Sequence, residues 1–170
     1  MSLHSFAIVQ SRKMLLNLDK WLETAAAHAA KKPFDPNVLL AARLAPDQFA
    51  LVRQVQSACD SAKGNASRLT GKEAPKHPDT EQTLDELRAR IKTVVAHLDT
   101  YTEADFEGAE ARHVVLSFIP GKYILGADYA REFGEPNFYF HVNMAYAILR
   151  HNGVELGKRD YLGAFPLHDA

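Results

Sequence analysis

Four stretches of this chain repeat apolar residues at three- and four-residue steps, and that recurrence limits its fold more than any other feature. The cleanest is Leu84, Leu87, Ile91, Val94, Leu98 and Tyr101. A second stripe, Ile8, Leu15, Leu18, Leu22, Ala25 and Ala29, predicts a helix over residues 5–30, ended by Pro33 and Pro36. A third, Leu51, Val55, Ala58, Ala62 and Leu69, reads as a helix opened by Pro46 and Asp47 and closed by Gly71. The fourth, Phe138, Val142, Ala145, Ile148 and Leu149, follows Pro136 and stops at Asn152-Gly153.

Helices with one apolar face are marginal alone in water and must bury their stripes against one another. The chain therefore reads as all-α, a four-helix bundle, with residues 1–170 forming a single domain. Asp79 or Thr80 is the expected cap of the third helix, with Gln82 three residues after Asp79. Between the third and last helices the period changes. Residues 114–119 and 123–125 are β-prone around Pro120-Gly121, which predicts a small β-hairpin lying against the helices. Residues 128–133 suit a helical turn or two, and the tail from Val154 reads as irregular.

Composition narrows the function. The formal net charge of -1 argues against a nucleic-acid partner, because phosphate binding wants a cationic excess. No apolar run reaches membrane-spanning length, and residues 1–18 lack the order of a signal peptide, so the expected location is cytoplasmic. The single cysteine, Cys59, builds no disulfide within one chain and sits among apolar helix positions, where a buried, inert thiol is expected.

The residues that suggest chemistry lie on the last helix. Asn137 and His141 are four apart and project from one face on successive turns. His141 also stands three after Phe138 and four before Ala145, which turns it toward the core. An imidazole there needs a hydrogen-bond partner, a metal or a ligand. Asn137 has the alternative role of serving the helix N-terminus. On the second helix Gln54 neighbours Leu51, Val55 and Ala58 and can reach the interior to orient that histidine. Asp47, seven residues before Gln54, would share its side, and Arg43, four before Asp47, would pair with it locally. Tyr139, Phe140 and Tyr146 add aromatic mass for a core, pocket or subunit contact. HExxH, CxxC, GxSxG and phosphate-binding glycine loops are missing from the sequence.

Taken together, AARLAPDQF (41–49), RQVQSACDSAKGNASRLTG (53–71), DTEQTLDELRARI (79–91) and PNFYFHVNMAYAILRHNGVELGKRDYLG (136–163) resemble an uncharacterised bacterial family, known only as a domain of unknown function, in the DinB/YfiT-like superfamily. The resemblance spans nearly the whole chain and implies the DinB-like four-helix bundle. It also implies a divalent metal, nickel or zinc, held by one histidine from the second helix and by an HxxxH on the last. Some members of the superfamily are thiol-dependent transferases or hydrolases at that metal. Asn137 stands at the first position of the HxxxH and His141 at the second, while Gln54 is nearest the remaining histidine. One imidazole and two neutral amides suit nickel or zinc poorly. The expectation is a homodimeric bundle that binds a small molecule at this degenerate triad without metal catalysis. The alternative is a divalent-metal-dependent hydrolase or thiol transferase in which His141 and Asn137, with Gln54 and Asp47, hold a weakly bound ion.

Overall fold

The computed structural model describes residues 2–169, so Met1 and Ala170 of the expected domain lie outside the described residues. The molecule is mostly helical. Helix α1 spans Ser11–Lys31 and is preceded by a wider π-type turn over Ser5–Gln10. Its stripe is wholly buried from Leu15 to Ala29, with Trp21 beside it. Helix α2 covers Leu51–Thr70 and α3 Leu84–Leu98. A four-residue helix, α4 (Gly126–Tyr129), runs through a π turn over Ala130–Gly134 into α5, Glu135–His151. Helix α1 packs on α3, α3 on α2, α2 most extensively on α5, and α5 back on α1. That closes the expected four-helix bundle around one core. No helix among the described residues is long and apolar enough to cross a membrane.

Local details differ from the sequence reading. Helix α2 begins at Leu51, capped by Ala50, while Pro46 and Asp47 lie in a preceding turn closed by Gln48 N–H on the Ala45 carbonyl at 3.1 Å. The reason is long-range: the Leu51 N–H donates at 2.9 Å to the carbonyl of Ala42, just past a 3₁₀ turn over Pro36–Ala41, and this fixes where the helix starts. Helix α3 is capped by Thr83 rather than Asp79 or Thr80, in a reciprocal box with Glu86. Asp79 is drawn instead to Arg90, at 3.0 Å, and to Arg53.

The hairpin is smaller than its β-prone segments. Strand β1 (His113–Val114) pairs antiparallel with β2 (Ile124–Leu125), in the register His113 to Leu125 and Val114 to Ile124. Residues 115–123 form the loop between them, where Val115, Phe118 and Tyr123 are exposed. Arg112 anchors the base by donating from Nε to the Leu69 carbonyl near the end of α2, at 2.9 Å. At Gly126 a Cβ would lie 1.9 Å from the Ala109 carbonyl oxygen, so the chain can return here only with glycine. The tail is not wholly irregular: Lys158–Leu162 forms a short helix, α6, whose Tyr161 stacks on Trp21 with centroids 5.6 Å apart.

Candidate functional site: the polar seam between α2 and α5

Gln54, Ser61 and Asn65 occupy one side of α2 at helical spacing and are all buried. Buried polar groups need partners, and α5 with the π turn before it supplies them. Asn65 Nδ2 donates to the Gly134 carbonyl at 3.1 Å. One turn along, Asn137 Nδ2 donates to Ser61 Oγ at 2.8 Å. His141 Nδ1 meets Gln54 Oε1 at 2.9 Å. Beyond the start of α2, Gln48 Nε2 reaches Met144 Sδ at 2.8 Å, while its own Oε1 is buried without a partner. Residue numbers rise on one side as they fall on the other, so the helices are antiparallel and joined by a ladder of side-chain hydrogen bonds.

The rung at His141 fixes its chemistry. Gln54 commits its amide nitrogen to the Phe49 carbonyl, at 3.3 Å, which turns its oxygen to the ring. Only the tautomer with the proton on Nδ1 can donate to that oxygen, which leaves Nε2 with a lone pair. Nε2 makes no hydrogen bond among the described residues and is not among the buried unpartnered atoms. Burial, with the Arg53 cation adding to it, lowers the His141 pKa, so the neutral ring is favoured.

Three of the expected site residues, Gln54, Asn137 and His141, thus come together. The other three do not join them. Asp47 is exposed in its turn, with no ion pair to Arg43. Arg43 is exposed and donates to the Pro46 carbonyl at 3.3 Å. Tyr146 packs edge-on against Trp21 and Tyr161, in an aromatic cluster of α1, α5 and α6. Ser61 and Asn65 join the expected residues, and their signal in the sequence is that they repeat the Gln54 position at seven and eleven residues. None of five surface cavities, the largest about 340 Å³, has Gln54, Asn137 or His141 in its wall.

These residues do not fit the nickel or zinc ion that the sequence resemblance implies. Among the described residues no three His, Cys, Asp or Glu side chains converge. The seam offers one imidazole and two neutral amides. Its Nδ1 and Gln54 oxygen are paired with each other, and Asn137 faces Ser61 with its donor end.

Fold and seam together define a DinB-like helical bundle with a single imidazole, that of His141, in its α2–α5 seam. A crystal structure of a DinB family member from Shewanella denitrificans, at 1.83 Å resolution, is 50% identical with a TM-score of 0.96, over 99% of this chain and 96% of that one. Residues 3–162 match the model of a domain of unknown function, DUF1993, and the chain belongs to that family. A search of curated proteins gives no match.

Proposed function

We propose that this protein is a DinB-like bundle that works without a metal and binds a small polar molecule at the outer edge of His141. The observation that carries the reading is the hydrogen bond between His141 Nδ1 and Gln54 Oε1, which leaves Nε2 as an acceptor held in one orientation. Half-exposed Phe140 stands edge-on to the His141 ring, with centroids 5.3 Å apart, and half-exposed Phe49 supplies the carbonyl that holds the Gln54 amide. A ligand suited to this edge presents an N–H or O–H donor to Nε2 and an apolar flank to the rings.

Protein purified without a histidine tag and dialysed against nickel or zinc is expected to carry well below one equivalent, with its Tm unchanged in chelator. A stoichiometric metal that disappears in His141→Ala would contradict the reading in favour of a metal-dependent hydrolase or thiol transferase. Binding is read separately, by titrating small polar compounds that carry N–H or O–H donors and following the ¹⁵N shift of His141 Nε2. A saturable shift is expected. No shift across the set would overturn the binding role and leave the ladder as a packing element.

A further inference from the structure

The face of α2 toward α3 carries a second polar network, separate from the seam and independent of its reading. Residues 71–83 cross from α2 to α3 as an extended segment tied down by buried cations. Lys63, whose side chain is 9% exposed, places its ammonium 2.9 Å from Asp60 Oδ1, 3.0 Å from the Pro75 carbonyl and 2.9 Å from His77 Nδ1. Arg90, with its side chain 2% exposed, holds the far half of the segment through the Pro78 carbonyl, Asp79 and Glu81. Gln56 adds a bond to Glu81 at 2.8 Å.

The Lys63 contact is chemically asymmetric. An ammonium has three donors and no acceptor, so His77 Nδ1 must present its lone pair and the ring must be neutral. Lys63 cannot turn elsewhere, because its two remaining hydrogens are taken by Asp60 and Pro75. A proton on His77 therefore sets two cations at hydrogen-bond distance, and the group free to move is the histidine. The charged groups around His77 are Lys63 and Asp60 from α2, Arg90 from α3, and Glu81 from the segment itself. Burial, then Lys63 and Arg90, lower the His77 pKa against the opposite pull of Asp60 and Glu81.

We propose that residues 73–77 are a pH-sensitive strap, latched to α2 by neutral His77 on Lys63 and released when that ring is protonated, the one remaining bond to the Pro75 carbonyl then exchanging with water. Release pivots between Lys72, held by Ser67 Oγ on its carbonyl and by its ion pair with Asp105 at 2.6 Å, and the Arg90 clamp at Pro78, and it uncovers the Lys63 ammonium. The sign follows from the lowered pKa: latching is complete above the ordinary histidine value and is lost as pH falls through the lowered one.

The test is ¹⁵N relaxation of the full chain at pH 7.5 and pH 5.5. Order parameters of the strap amides are expected to fall from about 0.85 to below about 0.6, while signals from the four long helices and the Trp21 indole stay in place. His77→Gln, which cannot be protonated, is expected to keep the strap rigid at both pH values. His77→Lys is expected to free it already at pH 7.5. A strap that stays rigid at pH 5.5, equal loosening in His77→Gln, or loss of the Trp21 signal in step with the strap would each overturn the proposal.

Discussion

Arg90→Ala is expected to destabilise the fold by about 3 kcal/mol, near the low end of what breaking a buried ion pair costs. The guanidinium is almost fully buried and bridges four acceptors: Asp60 Oδ1 at 2.8 Å, Asp79 Oδ1 and Glu81 Oε1 at 3.0 Å, and the Pro78 carbonyl at 3.2 Å. Its loss strands Glu81, only 11% exposed, with Gln56 as its remaining side-chain partner. Asp60 and Asp79 are more than a third exposed and recover water, which places the cost at the lower end. Urea unfolding should show the midpoint falling with the m-value unchanged. A change under about 1 kcal/mol would mean that the linker is not held by this residue.

Gln54→Ala is expected to cost about 2 kcal/mol, because it leaves the His141 Nδ1–H without its acceptor inside the seam and opens space beside it. The Phe49 carbonyl loses its donor too, but Phe49 is half exposed and water replaces the bond. In a His141→Leu background the same change should cost less by about 1 kcal/mol, the coupling of the pair. Equal costs in the two backgrounds would show that Gln54 and His141 act independently.

Much of this was legible in the sequence, for a physical reason. The stripes on α1, α2, α3 and α5 are set by side chains that can only be buried together, so periodicity alone gives the bundle. His141 and Asn137 were legible because they sit next to that stripe, and Gln54 because it neighbours Leu51, Val55 and Ala58. What failed depended on contacts between residues far apart in the chain. Pro46 and Asp47 have the local chemistry of a helix start, yet the Ala42 carbonyl sets the start at Leu51, and Asp47 and Arg43 drop out of the seam with it. Asp79 has the chemistry of a cap, yet Arg53 and Arg90 claim its carboxylate. Ser61 was not legible because a small hydroxyl on an alanine-rich face can bond its own helix backbone, and only the fold places Asn137 opposite it.

The central proposal is that hydrogen bonds around a neutral histidine close the α2–α5 seam and leave no place for a metal. The most direct measurement is the long-range ¹H–¹⁵N spectrum of the His141 imidazole across pH, with and without one equivalent of zinc. The account predicts a ring protonated at Nδ1, with a pKa below the ordinary 6.5 because of burial and Arg53, and a spectrum that zinc leaves unchanged. The ring's contribution to stability is then full above that value and is lost as pH falls through the lowered pKa. A ring that titrates at its ordinary value with mixed tautomers, or one that zinc converts to a metal-bound form, would contradict it.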